Sequence, residues 1–231
     1  MSTNIYANHR ENQKEWILEV AEDLFIQKGI ELVTIGDIAK ASRLTRATIY
    51  KYFANKEQIA QEIFRSVTKG WRDRNEREVW GFQGTGYELL EKFITVFFSY
   101  LFQNPREASF AAELNYLYAK QWSAEMFANT MLENLQEDRQ FVLDSIRKGV
   151  EDGSLRSDID PELMLAAFFN FISGTFSRLG EMGDKVEKEF GHSSRAIFTQ
   201  ICRIFLDGLK APSSNRKKSS KKLVIVSGKV L

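Results

Sequence analysis

Cysteine, histidine and proline are scarce in this 231-residue chain, with one, two and three copies respectively. The lone cysteine, Cys202, excludes an intramolecular disulfide framework and a multi-cysteine zinc site. His9 and His192 are too few for a histidine-rich metal centre. One lies near the terminus and the other in an expected loop, which does not suit a Ser-His-Asp nucleophile. Long apolar runs are also missing, and none reaches the roughly 18 residues that would span a bilayer. The opening residues 1–16 lack the apolar stretch of a secretion signal. No catalytic residue, metal site, cofactor or membrane partner is expected, and a soluble, reduced, cytoplasmic protein is. Hydrophobic residues at 43% and charged residues at 27% are ordinary for a folded protein. Few prolines and little alternation of β-branched residues predict an all-α fold.

The net charge of +1 conceals an uneven distribution. Residues 210–231 hold seven Lys or Arg and no acid, which leaves 1–209 with 25 bases against 31 acids, a net of −6. Bulk charge therefore carries no argument for nucleic acid, and any such function rests on a local constellation. The tail 211–231 is basic, then apolar, and reads as disordered. It either adds non-specific DNA affinity or does nothing.

Residues 10–28 read as an amphipathic helix, with Trp16, Val20, Ala21, Leu24 and Phe25 on one face and Gly29 beyond its end. Thr34 precedes Asp37 by three residues, a capping-box start for a short helix ending near Ala41. Thr45 opens another at about 46–52. Asn55 caps a fourth that runs from Lys56 to Gly70 or beyond. The run GFQGTG at 81–86 is a loop. It follows no strand, so it is a weak phosphate-loop candidate. Further helices are expected near 87–102, 105–120, 123–151, 161–180 and 193–209, two of them opening on Asn104-Pro105 and Asp160-Pro161.

Two helices of about seven residues are too short to persist alone. They persist when packed as a helix-turn-helix, whose second helix fits a major groove. Ile49 and Phe53 share one face of the third helix, and Leu44, Ile38 and Ala39 can meet it. The opposite face carries Ala47, Thr48 and Lys51, flanked by Tyr50, with Arg46 at the N-terminal end. Arginine can bond a guanine edge bidentately, and threonine or alanine can meet a thymine methyl. Hydroxyls of Tyr50 and Tyr52, the Lys56 ammonium and the amides near Thr34 suit phosphate oxygens. Between 43 and 57, Arg43, Arg46, Lys51 and Lys56 face only Glu57.

The run TIGDIAKASRLTRATIYKYFANKEQI, residues 34–59, resembles the TetR family of one-component bacterial regulators. Thr34, Ile38, Ala39, Thr48, Tyr50, Tyr52, Phe53, Lys56 and Glu57 match the family's pattern directly. Leu44, Thr45, Ile49 and Ile59 match conservatively. The segment 153–174 is similar to the family's entry into its penultimate large helix. Two departures stand out. Ser42-Arg43 replaces the usual Ala-Gly at the turn, so Arg43 is either strained there, in a differently shaped turn, or set against DNA backbone. Ala47 replaces a common glycine. The resemblance implies a DNA-facing set of Thr34, Thr45, Arg46, Ala47, Thr48, Tyr50, Tyr52 and Lys56, to which Arg43 at the turn and Lys51 on the outward face are added. Arg46 and Thr48 are assigned to bases; Thr34, Tyr50, Tyr52 and Lys56 are assigned to phosphates. Thr45 is either a contact or only a cap.

The resemblance further implies a helix-turn-helix DNA-binding domain at 1–56 and a larger helical effector-binding and dimerisation domain at 57–210, which leaves the tail at 211–231 as a third part. The second part is dense in aromatics. The residues assigned to a small hydrophobic or aromatic effector are Phe93, Phe97, Phe110, Glu113, Tyr116, Trp122, Phe127, Phe168, Asn170 and Phe171; each ring is otherwise ordinary core. Asn115 is a further polar residue among apolar ones. The helices at 161–180 and 193–209 would form a homodimer, the second through Ile197, Ile201, Ile204, Phe205 and Leu209, while Cys202 reads as inert core. A two-fold dimer predicts double-stranded DNA with an inverted-repeat operator. The implied outcome is a repressor released by its effector, with the helix from Lys56 as the lever. The rival is a helical hydrophobic-ligand carrier or sensor without DNA-binding function.

Overall fold

The computed structural model describes residues 2–121, 133–182 and 185–212. In chain order the helices are α1 (Ser2–Lys28), α2 (Ile35–Ser42), α3 (Arg46–Tyr50), α4 (Lys56–Glu78), α5 (Gly86–Gln103), α6 (Pro105–Gln121), α7 (Glu133–Glu151), α8 (Pro161–Met182), α9 (Lys185–Phe190) and α10 (Ser194–Leu209). Among the described residues there is no strand, only an isolated antiparallel bridge between Leu155 and Lys210. The short helix α9 was not expected. The expected span 123–132 and the tail from 213 lie outside the described residues.

Caps fix the helix starts. Thr34, Thr45, Asn55, Thr85 and Ser193 each accept a hydrogen bond from the backbone amide three residues on, satisfying a group the helix itself leaves unpaired. Thr34 with Asp37 and Thr85 with Glu88 form full capping boxes. GFQGTG thus ends in a helix start. Its last residue, Gly86, packs so closely on α7 that a Cβ there would stand 2.1 Å from the Gly149 nitrogen. Asp152 and Ser154 accept hydrogen bonds from the first amides of α5, at 2.9 and 3.1 Å, leaving them paired within the chain.

Two apolar cores result. The first joins Ile17, Ala21 and Phe25 of α1 to Ile38, Ala39, Ile49 and Phe53. It does not stop at residue 56. Ile59, Ala60, Ile63, Phe64 and Val67 of α4 extend it, and Phe110, Leu114 and Leu117 of α6 close it. The second core holds Trp71, Leu90, Phe93, Val142, Ile146, Phe168, Phe198 and Leu206, from α4, α5, α7, α8 and α10. Successive turns of α4 therefore sit in both cores.

The inner face of α1 holds Val20, Ala21 and Phe25 as expected, but Ile17 takes the place expected of Trp16. Ile17 is fully buried, whereas Trp16 is half exposed and donates its indole N–H to the Ser42 carbonyl at 3.1 Å. A large amphipathic ring with a polar edge thus serves the rim, and the smaller branched Ile17 fills the interior.

Candidate nucleic-acid interface

The turn between α2 and α3 forms because Arg43 adopts a left-handed backbone, φ 58° and ψ 34°. Its amide and that of Leu44 then reach back to the Lys40 and Ala39 carbonyls, at 3.3 and 2.9 Å. This Schellman closure ends α2. Left-handed geometry costs an arginine roughly 1 kcal/mol relative to glycine. Ser42, which is buried, bonds its hydroxyl to the Ile38 carbonyl at 2.7 Å.

α3 then lies with Ile49 buried on one side and Tyr50 largely exposed on the other. Thr45, Arg46, Ala47 and Lys51 are exposed with it, as is Arg43 just before. Burying Ile49 and Phe53 is worth about 1.5–3 kcal/mol each and anchors this five-residue helix. The outward face is thus arginine, alanine, tyrosine and lysine on a helix of fixed orientation. Thr48 is half-buried, and its hydroxyl lies 2.9 Å from that of Thr45. Thr34 is exposed at the start of α2, its hydroxyl engaged with Asp37 at 2.6 Å. That bond and a second from the Thr34 amide hold the Asp37 carboxyl below its usual range.

Two residues assigned to phosphates have other tasks. The Lys56 ammonium donates to three backbone carbonyls, those of Ile30, Glu31 and Val33, at 2.9, 2.7 and 3.1 Å. An ammonium has three protons, and all three are spent on the turn after α1. Tyr52 is half-buried, and its hydroxyl donates to Gln13 at 2.7 Å. The Arg10 guanidinium lies 5.9 Å from its ring centroid. Both residues tie the reading head to its neighbours.

Behind this surface lies a cavity of about 120 Å³. Phe64, Val67, Thr68 and Trp71 of α4 form one wall, with Phe97, Tyr100 and Leu101 of α5 beside them. Ala111 and Asn115 of α6, Leu135 of α7, and Ile172, Ser173 and Ser177 of α8 complete it. Its polar groups include Asn115 and Ser177, joined at 3.0 Å, and among the described residues no charged side chain lines it. Of the described residues assigned to an effector, Phe97 alone lines this cavity. Phe93 and Phe168 are packed core. Phe110 belongs to the first core, 6.4 Å from Phe25 centroid to centroid. Glu113 points toward Gly29, where a Cβ would lie 3.5 Å from its carboxylate. Tyr116 is exposed, and so is Asn170, which bonds the Ala166 carbonyl of its own helix. Phe171 stacks on Phe205 at 4.4 Å. Trp122 and Phe127 lie outside the described residues. The α4 wall was missed, although apolar residues at 60, 63, 64, 67 and 71 give a helical signal.

Beside the cavity, Trp71 and Asn75 of α4 donate to the buried Asp138 of α7, at 2.5 and 2.7 Å. Burial pushes the Asp138 carboxyl up to about 6, against hydrogen bonds that lower it. The Asn75 side-chain oxygen is buried and accepts nothing among the described residues. Tyr100 bonds Glu107, and burial raises the pKa of both groups. Cys202 is buried, and desolvation pushes its thiol up to about 12, which keeps it an unreactive thiol. Its neighbours on the inner side of α10 are Phe198, Leu206 and Leu209. Leu209 therefore belongs to the core side, while Ile204 is exposed and Ile197 and Ile201 are half-buried. On α8, Leu163, Ala166, Ala167 and Gly174 face outward. No described helix is long and apolar enough to cross a membrane.

Residues 17–63 match the family described as bacterial regulatory proteins, tetR family. The chain is 29% identical over 201 residues to the HTH-type transcriptional repressor KstR2 of Rhodococcus jostii, covering 85% of this chain and 90% of the relative. Two solved structures share the fold. FadR of Bacillus subtilis, in complex with stearoyl-CoA, is 21% identical, with a TM-score of 0.65 over 84% of this chain and 98% of its own. The fatty acid degradation regulator FadR of Bacillus halodurans is 20% identical, with a TM-score of 0.63 over 85% and 99%.

Proposed function

The chain belongs to the TetR family of bacterial regulatory proteins, and from this we propose that it represses transcription from an inverted-repeat operator and leaves it when a small, mainly apolar effector binds. It is a regulator and not an enzyme. The observation that carries the DNA reading is α3. Ile49 pins one side of it, and Arg46, Ala47, Tyr50 and Lys51 stand together in solvent on the other. The carrier reading has no use for that surface. Base contacts come from Arg46 and the outer face of α3, and phosphate contacts from Thr34, Arg43, Tyr50 and Lys51. Such a protein works in the cytoplasm, where its DNA is.

The effector site is the cavity beside α4. With no charged lining residue among those described, it favours a neutral ligand, or the neutral part of one, with a polar group directed at Asn115 and Ser177. α4 forms its wall and also carries Ile59, Ala60 and Ile63 into the core beneath the reading head. A ligand that prefers one α4 position weakens DNA binding by its differential affinity, and DNA weakens ligand binding equally. The dimer forms through the outward faces of α8 and α10. These adjoin through the Phe171–Phe205 stack and expose Leu163 and Ile204 to water. Paired reading heads then meet two half-sites on one face of the duplex.

The test is selection of the purified, ligand-stripped and refolded protein against a random duplex library. The expected result is one enriched inverted repeat. A pool with no common sequence would leave the carrier reading in its place.

A further inference from the structure

Gly36 is the second residue of α2 and has an ordinary helical backbone, since it is absent from the positive-φ positions. Conformation therefore does not require glycine there, and glycine is a poor helix former. What its missing side chain does provide is room. A Cβ at this position would stand 2.6 Å from Arg46 Nη2, 3.1 Å from Nε and 3.2 Å from Cζ. The Arg46 guanidinium of α3 thus lies against the first turn of α2, in space that a Cβ at this position would enter. No ion pair of Arg46 is found among the described residues, so what distinguishes its position is the open space over Gly36.

We infer that Gly36 is a specificity-determining position, because it seats the Arg46 guanidinium across the starts of α2 and α3 and so sets which base pair that arginine reads. The inference rests on the DNA-reading function proposed above. Arg46 carries five donors in a rigid fork, and a guanine edge is the base partner that this fork matches bidentately. A long arginine free to sweep solvent could address several positions. One laid over Gly36 approaches the duplex from a single direction, with less freedom to lose on binding. Gly36 itself is a positioning residue and offers no side chain to DNA. Substitution there is cheap for the fold, because the atoms that must yield are the far end of an exposed side chain.

The experiment is duplex selection followed by binding titration, with the full chain and Gly36→Ala, Arg46→Ala and the double variant. The wild type is expected to enrich a repeat with a guanine in each half-site whose preference Arg46→Ala abolishes. Gly36→Ala should relax preference at that same base pair and leave the others intact. Its affinity for the wild-type site should fall about tenfold, within the range of one bidentate contact. The double variant should bind no more weakly than Arg46→Ala alone. The melting temperature of Gly36→Ala should be unchanged or raised. The inference is overturned if Gly36→Ala keeps the wild-type motif and affinity, if the two losses simply add, or if Arg46→Ala weakens all sequences alike. A wild-type pool without any motif would instead defeat the DNA reading itself, which the wild-type arm alone decides.

Discussion

Arg43 is exposed at a left-handed turn that glycine would occupy without strain. Arg43→Gly should therefore raise stability by roughly 1 kcal/mol, read as a higher urea midpoint at unchanged slope. If its guanidinium also meets a phosphate, the same variant lowers the salt dependence of DNA binding by about one ion. Lys56 should behave in the opposite way. Lys56→Met strips three carbonyls of their donor, at an expected cost of about 2 kcal/mol, while the salt dependence of DNA binding stays as it was. A flatter salt slope in that variant would return Lys56 to the phosphate contacts. The sequence identified Lys56 as part of a pattern but could not identify its partner. The carbonyls of residues 30–33 meet it only because the turn after α1 folds back onto the start of α4. The caps at Thr34, Thr45 and Asn55 were legible because cap and amide lie three residues apart, which no tertiary arrangement alters.

At the scale of elements, α4 and α7 meet at a buried carboxylate with neutral donors. Asp138 has a folded-state pKa of about 6 against an ordinary 3.8. Between about pH 4 and 6 the native chain keeps a proton that the unfolded chain has released. Stability therefore falls as pH rises through that window and stays lower above it, by at most about 3 kcal/mol. Asp138→Asn removes the buried charge. Once the Asn75 amide turns over, its unpartnered oxygen can accept from the new side chain. The variant should match or exceed the wild type in stability at pH 7.5, and its urea midpoint should lose this dependence between pH 4 and 6. Asp138→Ala leaves the Trp71 and Asn75 donors unpaired and should cost about 2 kcal/mol. A wild type that gains stability from pH 4 to 6 at this site would contradict the sign. The helices themselves were legible nearly throughout, through period, caps and the two Asn-Pro and Asp-Pro starts. The effector set was not, because a ring on an apolar helical face reads the same whether it fills a core, as Phe93 does, or lines a cavity, as Phe97 does. Only the packing of α4 against α5, α6 and α7 separates the two.

For the whole molecule, the question is what covers α8 and α10. The sequence marked α8 as apolar nearly all round, and the structure divides it. Leu165, Phe168 and Ile172 turn inward, while Leu163, Ala166, Ala167 and Gly174 stay outside. On α10, Phe198, Cys202 and Leu206 turn inward and Ile204 stays out, 64% exposed. A helix with apolar residues on opposite sides in a single chain has one side left to bury. Small residues along α8 allow a second backbone to approach closely, and Leu163 and Ile204 are the large side chains such an approach would cover. Ile204→Glu places a carboxylate at that contact, where a two-fold axis would bring it near its own copy. The expected outcome in gel filtration with light scattering is a fall from the mass of two chains to that of one, with the helical circular dichroism retained. Operator affinity should fall with it, by about a hundredfold or more, because the second half-site then binds as a separate molecule and no longer at high effective concentration. The same variant leaves α3 untouched, so binding to a single half-site at high protein concentration should persist. A dimer that survives the substitution would place the subunit contact on another face and leave α8 and α10 without a partner.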